Sequence, residues 1–80
     1  MASENERRFI PLQIAVLTVS DTRDETTDTS GKTLVERLTR AGHRLAEKTI
    51  VPDDIYRIRA VVSRWIADPN VQVVLTTGGT

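Results

Sequence analysis

Eighty residues, 39% hydrophobic and 28% charged, describe one globular domain at most, and no apolar run approaches the ~20 residues of a membrane span. Eleven basic residues balance eleven acidic ones, with no like-charged block beyond short pairs such as Arg7–Arg8, so nothing steers the chain to nucleic acid or anionic lipid. With no cysteine, disulfides, thiolate zinc sites and thiol nucleophiles are excluded.

Residues 1–10 read as a polar extension without the apolar core of a signal peptide, and the expected location is cytoplasmic. The domain starts at residue 11. Leu12 to Val19 is almost continuously apolar and β-branched, as in a parallel strand covered on both faces. Ser20-Asp21 ends it, and the polar stretch from Thr22 to Thr29 reads as an exposed loop. Thr29 or Ser30 can cap a helix opening near Gly31, with Leu34, Val35, Leu38 and Ala41 at helical spacing and Gly42 as its stop.

His43 to Val51 follows as a strand nearer the sheet edge, with Leu45, Thr49 and Val51 on one face and Ala46 and Ile50 on the other. Asp53 is placed to cap a second helix whose apolar face is Ile55, Ile58, Val62 and Ile66, with Trp65 beside it, and Pro69 ends that helix. Val71 to Thr76 reads as a third strand, fully buried, running into Thr77-Gly78-Gly79-Thr80. The order β-α-β-α-β with right-handed crossovers predicts a doubly wound, three-layer α/β domain with a parallel sheet, present only in its first portion. If the strand order is 2-1-3, the Ser20 and Thr77 loops meet at the switch point where such sheets bind ligands.

Several residues have a chemical and a plain structural interpretation. Gly78-Gly79 between Thr77 and Thr80 would let backbone N–H groups approach a phosphate, although glycines also serve simple turns. Ser30-Gly31-Lys32-Thr33 has the ending of a P-loop, but Thr26 stands where that motif needs glycine, so Lys32 reads as solvated. Asp21, Asp24, Glu25 and Asp28 could hold magnesium beside a phosphorylated ligand, or simply be hydrated. Asp53 is either a helix cap or a carboxylate for metal or polar substrate groups. His43 and Trp65 read as structural, and no Gly-x-Ser-x-Gly elbow surrounds Ser20, Ser30 or Ser63.

Ser20-Asp21-Thr22-Arg23, Asp28-Thr29-Ser30-Gly31, Val51-Pro52-Asp53-Asp54 and Leu75-Thr76-Thr77-Gly78-Gly79-Thr80, in this order and spacing, resemble the molybdopterin-binding domain shared by molybdenum cofactor biosynthesis protein B and the molybdopterin adenylyltransferases. The resemblance runs from about Phe9 to the end. Phe9-Ile10-Pro11 and the Tyr56 to Ile66 helix look most similar to the protein B branch.

This resemblance implies a cytoplasmic homotrimer or dimer of trimers that binds molybdopterin and takes part in its ATP- and magnesium-dependent adenylylation. The alternative is a non-catalytic molybdopterin-binding or assembly protein. By position, Thr77, Gly78, Gly79 and Thr80 would cradle the phosphate of the pterin, with Ser20 and Asp21 at the neighbouring strand end. Asp53 matches a functional carboxylate and is the candidate catalytic residue, while Asp28, Ser30 and Gly31 match the substrate-binding loop and helix start. The glycine and second carboxylate that follow this motif in the family fall after Thr80, so the eighty residues alone are expected to be an inactive part of the domain.

Overall fold

The computed structural model describes residues 10–22 and 27–78. Five elements alternate: β1 (Gln13–Val19), α1 (Thr29–Arg40), β2 (Arg44–Val51), α2 (Ile55–Ala67) and β3 (Val73–Gly78). The three strands form one parallel sheet in the order β2-β1-β3, the arrangement expected for a doubly wound α/β fold. β1 is central, which explains its unbroken apolar run: Ile14 to Leu17 are buried whichever face they point to.

The two helices cover opposite faces. Leu34, Val35 and Leu38 of α1 pack with Ile14, Val16, Val73 and Leu75, while Ile58, Val61, Val62 and Trp65 of α2 pack with Ala15, Leu17, Val51 and Val74. Alternation along β1 thus feeds two separate apolar clusters. Trp65 has no exposed surface and is the largest fully buried side chain among the described residues.

Four expectations change. The apolar face of α2 is Ile58, Val61, Val62 and Trp65, and Ile55 and Ile66 are 63% and 76% exposed. These inward residues recur at three- and four-residue spacing, and the bulk of Trp65 sets the centre of the packed stripe. In β2 the pairing slips, with Ile14 opposite Leu45 but Ala15 opposite Glu47. One extra residue, Ala46, reverses the alternation, so Leu45 shares the α1 face with Ile14 while Glu47, Thr49 and Val51 share the α2 face.

β3, expected to be fully buried, is only half-buried at Val73 to Leu75 and exposed at Thr76. Among the described residues its sheet neighbour is β1. Both helix caps also fall one residue away from the expected positions. Asp28 caps α1 by accepting the Gly31 N–H, and Asp54, not Asp53, caps α2 by accepting those of Tyr56 and Arg57. In each case an aspartate carboxylate satisfies helix N–H groups that lack an intrahelical partner.

The remaining ends follow the sequence. Gly42 closes α1, its N–H meeting the Thr39 carbonyl at 3.0 Å while the His43 N–H meets that of Leu38 at 2.9 Å. His43 has the structural role expected of it, its Nδ1 accepting the Leu12 N–H at 3.0 Å.

Candidate functional site

The carboxyl ends of the three strands carry the motif residues in a row. Thr18 and Val19 of β1 pair with Thr77 and Gly78 of β3, so Ser20 emerges directly beside the end of β3. On the other side the Ser20 N–H donates to the Val51 carbonyl at 2.8 Å, and the Asp53 N–H donates to Asp21 Oδ1 at 2.9 Å. The row therefore runs from Thr77 and Gly78 through Ser20 and Asp21 to Asp53; Thr77 and Gly78, expected in a loop after a strand ending at Thr76, are instead the last residues of β3.

Gly78 is dictated by this closeness. Its φ of +89° suits only a residue without Cβ, and a Cβ there would collide with the Val19 carbonyl oxygen. Gly79 and Thr80, the remainder of the expected phosphate cradle, lie outside the described residues.

Across the row from β2, the start of α1 and the end of β3 enclose an open depression of about 280 Å³. Its walls are Thr29, Ser30, Thr33, Leu34, Arg37 and Thr77. The Thr33 hydroxyl donates to the Thr29 carbonyl at 2.8 Å, and the hydroxyls of Thr29, Ser30 and Thr77 with the Arg37 guanidinium, beside the start of a helix, are the groups on this surface suited to an anionic, oxygen-rich ligand. Ser30 and Thr77 were expected here; Thr29, Thr33 and Arg37 were not, because helical spacing assigns Thr33 and Arg37 to a face of α1 without saying what lies opposite.

The sequence motif Asp28 to Gly31 divides between two surroundings. Asp28 has no exposed surface, and its carboxylate accepts the Thr18 hydroxyl at 2.6 Å, the Lys48 ammonium at 2.9 Å and the Gly31 N–H at 2.9 Å. Burial alone would push this carboxyl up; the hydrogen bonds from Thr18, Gly31 and Lys48, with the Lys48 charge, outweigh it and hold the group below its ordinary value. Gly31 is required here too, since a Cβ would collide with Asp28 Oδ2 and Thr18 Oγ1.

Asp21 and Asp28 therefore do not converge on one cation: the first braces the backbone at Asp53, and the second is enclosed behind α1. Asp24 and Glu25 lie outside the described residues. Among the described residues no cluster of three or more His, Cys, Asp or Glu side chains could hold a metal. What remains is a pair, the exposed Asp21 and Asp53 on adjoining strand ends. Two hard oxygen donors fit magnesium, which takes one or two carboxylates and draws its other ligands from water and phosphate.

Thr18 and Lys48 were missed by motif reading. A threonine inside an otherwise apolar central strand was a signal, and so was a lysine in a strand with an apolar face, but the slip at Ala46 obscured which way Lys48 points.

The fold defines a doubly wound α/β domain with its motif residues gathered at the carboxyl ends of a parallel sheet. The family described as "Probable molybdopterin binding domain" matches residues 15–80, and the chain belongs to that family. Molybdenum cofactor biosynthesis protein B of Escherichia coli K12 is 53% identical over 78 residues, covering 98% of this chain and 46% of that protein. The protein of the same name from Bacillus subtilis strain 168 is 42% identical over 65 residues, covering 81% of this chain and 38% of the relative. A crystal structure of molybdenum cofactor biosynthesis protein B superposes with a TM-score of 0.85 at 42% identity, over 89% of this chain and 44% of that one. The chain thus spans under half the length of the relatives it matches. Among the described residues no helix is long and apolar enough to cross a membrane.

Proposed function

We propose that the protein carrying this chain acts in molybdenum cofactor biosynthesis, binding molybdopterin at the strand-end row and taking part in its adenylylation by ATP. The observation that carries this reading is the convergence of Thr77, Ser30 and Arg37 on one depression, next to a row that continues through Ser20 and Asp21 to Asp53. Family membership and the names of the relatives support the pathway.

In the proposed reaction an oxygen of the molybdopterin terminal phosphate attacks the α-phosphorus of ATP. The new bond is a phosphoanhydride, and the bond to the bridging oxygen of the β-phosphate breaks, releasing pyrophosphate. Such displacement needs alignment and charge neutralisation more than covalent help from the protein. Thr77 and Ser30 would donate hydrogen bonds to phosphate oxygens, with Gly78 allowing close backbone approach beside Ser20, and Gly79 and Thr80 extending the cradle. Magnesium bound with ATP supplies charge neutralisation at the leaving group, and Asp21 and Asp53 are the residues that would hold it.

Asp53 has no part in capping α2, since Asp54 performs that task. This supports the assignment of its exposed carboxylate to substrate or metal. The homotrimer or dimer of trimers implied by the resemblance is carried over with the function, and light scattering on the full-length protein reads it directly.

The test is to mix the protein, expressed from its whole gene, with molybdopterin, ATP and magnesium and to look by mass spectrometry for adenylylated molybdopterin. Product that disappears in Asp53→Ala is the expected result. Molybdopterin binding without product would reduce the function to binding or assembly, and absence of molybdopterin binding would remove the proposal altogether.

A further inference from the structure

Lys48 belongs to none of the motifs that led to the site. It stands on β2, opposite Val16 of β1, and so faces α1. Its ammonium reaches Asp28 Oδ2 at 2.9 Å, and the lysine side chain is 13% exposed while the aspartate is wholly buried.

Three elements meet on that one carboxylate: β2 through Lys48, β1 through Thr18, and the first turn of α1 through the Gly31 N–H. Thr18 is also the residue that pairs with Thr77 across the sheet. With Asp28 and Gly31 turned inward against Thr18, the two residues between them, Thr29 and Ser30, line the depression opposite Thr77. A buried carboxylate left without its cation is costly, so removing Lys48 would work against this placement of the helix start even with the Thr18 and Gly31 bonds in place.

We infer that Lys48 is a positioning residue for the ligand site, holding Asp28 so that the start of α1 presents Ser30 to the same ligand as Thr77. The inference rests on the molybdopterin-binding reading for the identity of the ligand, but its structural half can be measured without one. Asp28, assigned to substrate by motif position, on this account touches no ligand and acts through the backbone it holds.

The experiment compares the full-length protein with Lys48→Met, Lys48→Arg and Lys48→Gln. Two readouts are taken well below each melting temperature: the molybdopterin dissociation constant, and amide hydrogen exchange of the peptide containing Ser30 to Lys32. Lys48→Met is expected to bind molybdopterin roughly tenfold more weakly, the lower end of what loss of a supporting partner costs. Exchange should accelerate in that peptide and not in α2. Lys48→Arg, which keeps a cation within reach of Asp28, should recover most of the affinity.

Unchanged affinity and unchanged local exchange in folded Lys48→Met would overturn the inference, as would equal weakening in Lys48→Met and Lys48→Arg with exchange faster everywhere. If Lys48→Met does not fold, Lys48→Gln decides, since it removes the charge and keeps a polar side chain of similar length; unchanged affinity and unchanged local exchange there count against the inference. Should the unmodified protein bind no molybdopterin, the proposed function fails, and the exchange arm still upholds or rejects the hold of Lys48 on α1.

Discussion

Glu47 and Lys48 are neighbours on β2, and each makes an ion pair on its own face of the sheet. Glu47 Oε2 accepts from Arg64 at 2.8 Å on the α2 side, and Lys48 donates to Asp28 at 2.9 Å on the α1 side. The distances are nearly equal, but the surroundings are not. Glu47 and Arg64 are 38% and 58% exposed, whereas Asp28 is fully enclosed. Water screens the first pair and both partners can remain hydrated without it; the second has exchanged hydration for fixed partners, so removing one leaves the other exposed to a full desolvation penalty. Equal geometry therefore does not mean equal worth.

The strongest way to break this comparison is Asp28→Ala, which removes a partner of Lys48, an acceptor for Thr18 and the cap of α1 together. A loss of about 3 kcal/mol or more is expected in urea unfolding of the full-length protein. A loss below 1 kcal/mol, similar to an exposed pair, would show that the cluster is less enclosed than its burial implies.

Acid probes the same residue without mutation. Because the folded-state pKa of Asp28 lies below its ordinary value of 3.8, the unfolded chain binds more protons between the two values, and stability falls as pH falls through that window. The contribution is complete above the unfolded value. Wild type should therefore be more stable than Asp28→Asn by a constant margin near neutrality, and the margin should shrink below about pH 4. Glu47 is held low in the same direction, chiefly by the hydrogen bonds from Trp65 and Arg64.

On the α2 side the indole should matter more than the charge. Trp65→Phe removes the N–H that reaches Glu47 Oε1 at 3.0 Å and leaves part of a buried volume empty, for an expected loss of about 1–2 kcal/mol. Arg64→Ala removes only the exposed cation and should cost less than about 1 kcal/mol, with the remaining effect reduced by added salt. If Arg64→Ala cost as much as Asp28→Ala, the contrast between the two faces would be gone.

Smallest of all should be the effect of Asp53→Ala on stability, within about 0.5 kcal/mol, because the exposed side chain caps nothing and its backbone N–H bond to Asp21 survives. The same variant is expected to abolish adenylylation, which separates a site residue from a structural one. A loss near 1 kcal/mol with turnover intact would return Asp53 to a purely structural role.

Element order and part of the candidate site are legible in the residues alone. Long apolar periodicity located β1 and both helices, Gly42 and Pro69 marked where the helices end, and Thr77 and Gly78 after a short apolar run pointed to the carboxyl edge of the sheet, where they prove to be the last residues of β3. These features are local, arising from side-chain alternation and backbone sterics within a few residues. Tertiary structure decided what depends on who stands opposite. The slip at Ala46 turned Lys48 toward α1, the bulk of Trp65 moved Ile55 and Ile66 outward, and Asp54 took the cap that Asp53 could equally have made. Asp28, Ser30 and Gly31 belong to one four-residue motif, yet Asp28 and Gly31 are packed inside while Ser30 faces the depression. No spacing rule distinguishes those destinies, because burial and ion pairing are set by Thr18 and Lys48, ten and twenty residues from Asp28 along the chain.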